Sequence, residues 1–525
     1  MNRLFEFVRA EKIYLLFFLV GLLVVFYFTK NYVDSADLIQ YLAISRTYST
    51  LDAYAALNDF WSPMISWLII PVTLFTDDEL FSFKLLQSIF AFLAFVFLVR
   101  WSNLLSFSAL IKSFFLFACG LFFLSCAFFN GSPDLLYLVL VFVLFFIFER
   151  SIKKGKMLII PISSAGALLY FTKGFGFVFF VVLVLLFFIL FRRKANFTFV
   201  QLSGILVLFF ALTLSWAALI STKFGHTEIS GASRYNFNLM HPKNNPNVTG
   251  EIKHPIDKPH YLPPGKTYLV SAWQNPNGFC LKEWTPSNDP IRYMKIVFRN
   301  LVSLGYYYYP ILFLILLVLG VFFVIGKQKE FLHEKISSVK NSIRIFFQTN
   351  FLIAFVSFIT TFLYSLILNQ PRYLWVNDIL LFLFFFFMLN QIKIKNIAIF
   401  FAVLFSFLTV YTFSKELYSI VKSPLNIDWT SNALNDSLKK QGVEKNIVSD
   451  INLGADGYTV NCALGFFSGM KNAGIAKKDE LNSFKNLSFY LAKGNKTINS
   501  KEIPLLEFCA YEPRLNISLY RTREE

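Results

Sequence analysis

The apolar residues of this chain fall in long blocks rather than at the spacings of an amphipathic helix or strand. Four of these blocks contain no charged residue: Ile13–Thr29, Phe114–Phe129, Phe175–Phe191 and Ile311–Ile325. The hydrocarbon core of a bilayer is about 30 Å thick, so a helix needs about 20 apolar residues to cross it, and short spans need somewhat fewer. The pattern therefore predicts an all-α polytopic membrane protein.

The same pattern, followed along the whole chain, predicts about eleven transmembrane helices. They lie near residues 13–29, 83–99, 113–130, 135–148, 157–172, 174–191, 199–221, 302–325, 347–368, 374–390 and 396–414. No small-residue cleavage site follows the first block before Asn31, so we expect it to be a span and not a cleavable signal peptide. We therefore treat residues 1–414 as one transmembrane module.

Three polar segments separate or follow these spans. An odd number of spans precedes each segment, so all three should lie on the same side of the membrane. The first covers about residues 30–82 and is expected to contain a helix from Asp34 to Tyr48. Its apolar stretch Met64–Phe75 is too short to cross a bilayer, so it should lie along the interface or re-enter. The second, about residues 222–300, is rich in Pro, Asn and Gly and indicates a long ordered loop.

The third segment, residues 415–525, is expected to be a small C-terminal α/β domain. It contains strand-like runs at Asn446–Ser449 and Leu515–Tyr520, with helical patterns between them. Cys462 and Cys509 lie in this segment, and a disulfide between them is permitted there if the segment is extracytoplasmic.

Composition and charge support the membrane interpretation. Hydrophobic residues make up 56% of the 525 positions and 67 are phenylalanine, whereas soluble domains average about 45–50% apolar residues. The net charge of +17 concentrates in alternate loops, which contain residues such as Arg9, Arg100, Arg150 and Arg192. That alternation follows the positive-inside rule. It predicts a cytoplasmic N-terminus and an extracytoplasmic C-terminal domain in a membrane that we take to be the bacterial inner membrane, and it argues against a nucleic-acid partner.

The helix expected after the first span carries the first candidate chemistry. Side chains three and four residues apart share one face of a helix, so Asp34, Asp37, Tyr41 and Tyr48 would form one stripe. Arg46 is nine residues beyond Asp37 and points to the opposite side unless the helix bends. The alternative is a solvated acidic helix that joins two spans.

Further charged residues lie where spans begin or end on the same side. They are Asp134 after Pro133, Lys173 in the Thr172–Gly174 turn, Arg372 before Tyr373, and Asp378. Charges at membrane depth are costly and usually functional. Alternatively, Lys173 is a snorkelling residue at the interface, and Asp378 pairs with Arg372. The histidines His241, His254 and His260 show no metal-ligand spacing, so the sequence predicts no cofactor and leaves a divalent metal open.

Five short motifs, in order, resemble those of the GT-C membrane glycosyltransferases, in the branch of protein mannosyltransferases and aminoarabinose transferases. The family typically has Asp-Glu-x-x-Tyr-Ala-x-x-Ala-Arg, Lys-Pro-Pro-Leu-x-x-Trp, Asp-Pro-Leu-Leu, Leu-Thr-Lys-Gly and a late Arg-Tyr. The similar positions here are Asp37, Tyr41, Ser45 and Arg46, then Trp61–Leu68, Pro133–Leu136, Phe171–Gly174 and Arg372–Tyr373. Two departures stand out, because Leu38 replaces the family's Glu and Ser62-Pro63 replaces its Lys-Pro.

The resemblance implies an inverting, single-displacement transfer of a sugar from a polyprenyl-phosphate donor on the extracytoplasmic side. A base must deprotonate the acceptor hydroxyl, and Asp37 is the first candidate with Asp34 the second. The leaving phosphate needs cations, for which Lys173 and Arg372 are the main candidates and Arg46 is the third. We expect three residues to contact substrate: Tyr41, Asp134 and Tyr373.

Two other functions remain open at this point. A transporter or flippase of lipid-linked saccharides would also need charged residues and a lipid groove, although its polar groups are expected at the bilayer midplane. An envelope polysaccharide polymerase or ligase would use a different acceptor. The sequence leaves open whether the acceptor is a lipid, a glycan or a protein.

Overall fold

The structure, a computed structural model, describes most of the chain. It covers residues 11–50, 52–104, 107–193, 195–243, 271–276, 281–325, 362–366, 370–392, 395–440, 446–450, 454–476, 487–494 and 506–522. Within these ranges helices predominate, and one small sheet lies near the C-terminus. These residues confirm the predicted fold class of a polytopic helical protein with a small α/β part.

Sixteen α-helices are present among the described residues. They are α1 Lys12–Thr29, α2 Ala36–Ser49, α3 Ala53–Ala56, α4 Met64–Thr76, α5 Glu79–Leu104, α6 Ala109–Phe128, α7 Asp134–Lys154, α8 Ile159–Thr172, α9 Gly176–Phe191, α10 Phe199–Phe224, α11 Gly231–Leu239, α12 Pro290–Ile325, α13 Trp375–Gln391, α14 Lys395–Lys422, α15 Ala433–Lys439 and α16 Gly454–Ser468. Short 3-10 turns occur at Ala272–Gln274 and Pro371–Leu374.

Seven of these helices are long and apolar enough to cross a membrane within the described ranges: α1, α5, α6, α7, α10, α13 and α14. Helix α12 bends by 58° between Tyr309 and Ile311 and is the eighth candidate. Helices α8 and α9 are apolar but shorter, as is the 13-residue α4 that corresponds to the Met64–Phe75 stretch. The predicted span 347–368 lies almost wholly outside the described residues, so the count of eleven stays a prediction.

Helices α8 and α9 form a tight hairpin because small residues line their contact. A Cβ atom on Gly176 would lie 2.5 Å from the backbone oxygen of Leu169, and one on Gly166 would lie 2.4 Å from the Phe180 ring. The turn between the two helices therefore has room for little more than Lys173 and its neighbours. This hairpin fixes the position of the lysine at the end of two apolar helices.

Phenylalanine rings fill much of the interior between the helices. Phe148 stacks on Phe187 with ring centroids 4.1 Å apart, and Phe18 stacks on Phe95 at 4.2 Å. Offset or edge contacts of this kind are favourable because of the quadrupole of each ring. The many phenylalanines of the sequence thus act as packing residues, while others such as Phe17 on α1 face outward, as a bilayer-embedded helix allows.

The C-terminal sheet has five strands in the order β2-β1-β3-β5-β4. The strands are β1 Asn446–Asp450, β2 Lys471–Ala476, β3 Leu487–Lys493, β4 Leu506–Glu512 and β5 Ile517–Thr522. Strand β1 pairs in parallel with β2 and β3, with α16 as the crossover between β1 and β2, and the β3–β5 and β5–β4 pairs are antiparallel. The predicted α/β character is therefore confirmed. Cys462 is buried and Cys509 is half-buried, and the disulfide between them that the sequence permitted is not formed.

The three polar segments meet at one end of the helix bundle. The indole of Trp429 donates to the backbone oxygen of Asn31 at 3.1 Å, and Tyr32 forms a β-bridge with Asn426. In the second segment, the Trp273 backbone oxygen accepts a hydrogen bond from the Trp61 indole at 3.0 Å. These segments pack together and cover the end of the bundle where α7, α9 and α13 begin. We call this covered end the roofed end.

Candidate active site

A cavity of about 920 Å³ lies beneath this roof. Six residues predicted from the sequence line it: Asp37, Tyr41, Asp134, Lys173, Arg372 and Tyr373. They come from the first turn of α2, the start of α7, the α8–α9 turn and the 3-10 turn before α13. The fold thus brings together side chains that are up to 336 positions apart in the sequence, since Asp37 and Tyr373 share the cavity.

Two carboxylates and two cations alternate along the cavity wall. The Arg372 Nη2 atom lies 3.1 Å from Asp37 Oδ2, and its Nε atom lies 3.8 Å from Asp134 Oδ2. Lys173 Nζ lies 2.5 Å from Asp134 Oδ1. Such charge-assisted contacts hold the long Lys and Arg side chains in place before any ligand arrives.

Local backbone structure orients the two carboxylates. Asp37 lies in the first turn of α2 and Asp134 is the first residue of α7, positions where a helix dipole favours negative charge. The second oxygen of Asp37 accepts a hydrogen bond from Trp273 Nε1 at 2.8 Å. Asp37 is therefore fixed by an indole on one side and by a guanidinium on the other.

Aromatic rings enclose Lys173. Its Nζ atom lies 3.5 Å from the centroid of the Tyr373 ring and 5.3 Å from that of Tyr364, and both distances suit cation–π contacts. The Tyr364 ring stacks between Tyr373 and Phe175. Burial lowers the pKa of the Lys173 ammonium to about 8, and the neighbouring Asp134 carboxylate opposes this shift. The lysine can therefore lose its proton at mildly alkaline pH.

The structure places Asp34 away from the cavity wall. Helix α2 begins at Ala36 after an extended Ser35, so Asp34 precedes the helix instead of extending its acidic stripe, which corrects the predicted start of the helix. The Asp34 Oδ2 atom accepts a hydrogen bond from the Gly131 backbone at 2.7 Å. Burial raises the pKa of this carboxyl, and the charge of Lys84 opposes the shift. Asp34 ties the segment before α2 to the loop that leads into Asp134.

Arg46 also lies apart from the cavity. Its Nε atom is 2.8 Å from Glu79 Oε1, its Nη1 atom donates to the Phe466 backbone oxygen at 2.8 Å, and its guanidinium covers the Phe466 ring. The helical phase that set it opposite Asp37 is thus retained in the structure. Arg46 joins α2 to α5 and α16.

Several cavity residues carry no signal in the sequence. Trp273, Tyr364, Tyr458 and Thr459 line the cavity, and each comes from a segment without a recognisable motif. Tyr458 and Thr459 lie on α16 and show that the C-terminal segment contributes to the wall. Only their proximity in the fold relates them to Asp37.

A second charged group lies beside the cavity, and it has donor types that suit a metal. Ligand atoms of Asp59, His226 and Glu228 lie within 4.8 Å of one another. The Arg234 Nη2 atom lies 2.8 Å from His226 Nε2, 3.4 Å from Glu228 Oε2 and 3.6 Å from Asp59 Oδ2. The guanidinium thus already offsets part of the negative charge of these two carboxylates, and a divalent ion would compete with it for the same oxygen atoms. Burial raises the pKa of Glu228, and Arg234 opposes that shift.

The chemistry available in the cavity follows from these contacts. Asp37 offers a carboxylate oxygen at the cavity wall. Arg372 supplies positive charge in direct contact with it, and Lys173 supplies a second positive charge in the same cavity. Oxygen-bound negative charge is stabilised by such fixed cations. The arrangement can hold an anionic group and accept a proton close to it.

Comparison with known proteins gives matches in structure alone. No protein-family model and no curated protein matches the chain by sequence. ArnT from Cupriavidus metallidurans in the apo state superposes with a TM-score of 0.54 at 11% identity, covering 98% of this chain and 98% of that one. ArnT from the same organism bound to undecaprenyl phosphate gives a TM-score of 0.53 at 12% identity, covering 96% of this chain and 97% of that one. The chain therefore shares its fold with ArnT over nearly its whole length, and its long apolar helices are those of an integral membrane protein.

Proposed function

We propose that this protein is a membrane glycosyltransferase that transfers a sugar from a polyprenyl-phosphate carrier to an acceptor. One observation carries the proposal: Asp37, Asp134, Lys173 and Arg372 share a single cavity at the end of an apolar helix bundle. The similarity in fold to ArnT, one structure of which holds undecaprenyl phosphate, supports a carrier of this class.

The donor phosphate would bind between Lys173 and Arg372. Both cations now contact carboxylates, at 2.5 Å from Asp134 and 3.1 Å from Asp37. A phosphate offers the same oxygen chemistry with more charge, so it can replace or join these partners. The planar guanidinium suits two phosphate oxygens at once, while lysine acts as a compact charge. Arg46 pairs with Glu79 outside the cavity, so the proposal does not assign it to phosphate binding.

Asp37 would act as the general base. It would accept the proton of the acceptor hydroxyl while that oxygen attacks the anomeric carbon of the sugar. The bond from the anomeric carbon to the phosphate oxygen breaks in the same step, and the polyprenyl phosphate departs with the electron pair. A single displacement of this kind inverts the anomeric configuration. Asp34 accepts a hydrogen bond from the Gly131 backbone and would serve to position the Asp134 loop.

The carrier's hydrocarbon chain would follow the apolar side of the same cavity. Phe175, Phe177 and Val178 at the start of α9 line it, together with Leu363 and Leu366. Val178 is about half exposed on the outside of the bundle, so the cavity wall is continuous with the membrane-facing surface. Tyr41, Asp134 and Tyr373 remain as candidate contacts to the sugar and phosphate.

The sidedness belongs to the proposal as well. We infer that the roofed end of the bundle is extracytoplasmic, because the basic residues Lys153, Lys154, Arg192 and Arg193 lie at the opposite end, after α7 and α9 have crossed. We also infer that residues 415–525 form a domain that covers the cavity, to which α16 contributes Tyr458 and Thr459.

An in vitro transfer assay tests the proposal. The purified full chain would be mixed with a panel of polyprenyl-phosphate sugars and with membrane, glycan and peptide acceptors. We expect one donor to be consumed, and Asp37→Asn to lower the transfer rate by about 100- to 10,000-fold, the range for loss of a general base. Asp436→Asn, on the exposed face of α15, is the matched control and should leave the rate unchanged. Full transfer by Asp37→Asn would refute the base, and failure with every carrier would favour a transporter.

A further inference from the structure

A second cavity of about 610 Å³ also has Arg372 in its wall. It is bounded by α6, α12, α13 and α14, and Arg372 lines both this cavity and the one that contains Asp37 and Lys173. A ligand in the second cavity would therefore reach Arg372, whose Nη2 atom lies 3.1 Å from Asp37 Oδ2. The two cavities thus share one arginine.

Polar groups line the second cavity near the roofed end of the bundle. Asp378 on α13 is 7% exposed and accepts a hydrogen bond from the Tyr307 hydroxyl at 3.0 Å. Glu416 and Thr412 lie toward the C-terminal end of α14, and Asn130 follows α6. Two carboxylates, several hydroxyls and an amide thus face the same space.

Apolar residues line the cavity deeper in the bundle. They are Leu121 and Phe122 on α6, Phe382 on α13, and Phe405 and Leu408 on α14. Phe405 is 11 residues from Glu416, so the two are about 16 Å apart along the helix axis at 1.5 Å per residue. Leu408 is 42% exposed and marks the place where the wall reaches the membrane-facing surface. The cavity is therefore polar near the roofed end and apolar deeper in the bundle, as a site for the head group and hydrocarbon chain of a lipid would be.

The charges distinguish this cavity from the first. Among the described residues that line it, Arg372 is the one cation, and that side chain is paired with Asp37. A phosphate group would therefore find no further cation among these residues, whereas carboxyl, hydroxyl and amide groups exchange hydrogen bonds with hydroxyl or amine groups. The second cavity thus suits a head group that donates hydrogen bonds and lacks phosphate.

We propose that the second cavity binds the acceptor, and that the acceptor is a lipid with a hydroxyl-rich, phosphate-free head group. This inference rests on the proposed glycosyltransferase function, because it places an acceptor hydroxyl beside Asp37. An extended peptide would leave backbone groups unsatisfied between α13 and α14 at membrane depth, whereas a hydrocarbon chain fits there. The donor carrier then occupies the Lys173 side, and the two substrates meet across Arg372.

Native mass spectrometry of the full chain tests the inference without any transfer reaction. The probes are dioleoyl diglucosylglycerol, dioleoyl phosphatidic acid and undecaprenyl phosphate, added separately and in pairs. We expect the glucosyl lipid to bind in preference to phosphatidic acid and together with undecaprenyl phosphate. Asp378→Asn should weaken glucosyl-lipid binding by about tenfold, since the amide lacks one of the two oxygen atoms of the carboxyl group.

Matched variants separate the two sites. Leu408→Trp should block the glucosyl lipid and spare undecaprenyl phosphate, whereas Val403→Trp, exposed on α14 and outside the cavity, should change neither. Equal binding of phosphatidic acid, displacement of the glucosyl lipid by an acceptor peptide, or unchanged binding in Leu408→Trp would overturn the inference. Failure of the wild-type protein to bind undecaprenyl phosphate would instead count against the proposed function.

Discussion

Lys173 is the residue whose protonation should govern donor binding. Its pKa is lowered to about 8 by burial, so the ammonium is present below that pH and is lost as the pH rises through it. Affinity for undecaprenyl phosphate should therefore be constant near neutral pH and fall by up to tenfold per pH unit above about 8, because binding then requires uptake of one proton. A titration of the dissociation constant against pH measures this slope.

Lys173→Arg is the control for this pH dependence, because arginine stays protonated throughout the range. The variant should bind undecaprenyl phosphate with no decline between neutral and alkaline pH, even if its affinity differs from that of the wild type. An identical decline in both proteins would show that another group titrates, and our assignment of the phosphate contact to Lys173 would be wrong.

At the scale of single residues, short motifs predicted the charged groups of the cavity better than helical phase did. Asp37, Lys173 and Arg372 each lie beside a turn or helix end, where a local pattern is visible in the sequence. Asp34 was assigned to the same helix face, but Ser35 adopts an extended conformation and the helix begins at Ala36, two residues later than predicted. A capping boundary of this kind depends on the contact with Gly131, which is distant in sequence.

Among the elements, the α8–α9 hairpin determines where Lys173 lies. Gly176→Ala would put a Cβ atom 2.5 Å from the Leu169 backbone and force the helices apart. We expect a loss of about 1–3 kcal/mol in the free energy of unfolding, as for other overpacked contacts, with weaker binding of undecaprenyl phosphate. Thermal unfolding and lipid titration of the purified protein measure both effects.

Gly204→Ala on α10 is the matched substitution for this hairpin. Its Cβ would meet Ile159 no closer than 3.7 Å, an ordinary contact, so stability should be unchanged or slightly higher. If Gly176→Ala were as stable as Gly204→Ala, the close approach of α8 and α9 would not be the feature that positions the lysine.

Elements with a strong local pattern were predictable from the sequence, and their arrangement was not. Uncharged apolar blocks gave the positions of α1, α6 and α9 because hydrophobicity alone drives helices into a bilayer. The strand runs near β1 and β5 were visible too. The order β2-β1-β3-β5-β4 depends on pairing between distant segments, for which a single sequence holds no local signal.

At the scale of the whole molecule, the orientation in the membrane is open to a direct test. In a background lacking the native cysteines, Lys440→Cys and Lys154→Cys place exposed thiols at opposite ends of the bundle. A membrane-impermeant maleimide applied to spheroplasts should label position 440 and leave position 154 unmodified until the membrane is broken. The reverse pattern would place the cavity on the cytoplasmic side and contradict the proposed site of transfer.

The cavity itself is a property of the whole molecule. Its wall combines the first turn of α2 with Trp273 from the second polar segment and Tyr458 from α16. The indole of Trp273 fixes Asp37 from more than 230 positions away, and no spacing rule could connect the two. Motifs in the sequence identified the charged residues of the cavity, whereas aromatic residues such as Trp273 could be identified only from the fold.

The most direct measurement is a cryo-EM structure of the full chain in lipid nanodiscs with undecaprenyl phosphate. The account predicts phosphate density within hydrogen-bonding distance of both Lys173 and Arg372, with Asp37 at the edge of the same cavity and the polyprenyl chain along the start of α9. Phosphate density elsewhere, beside Arg46 or at the basic end of the bundle, would contradict it.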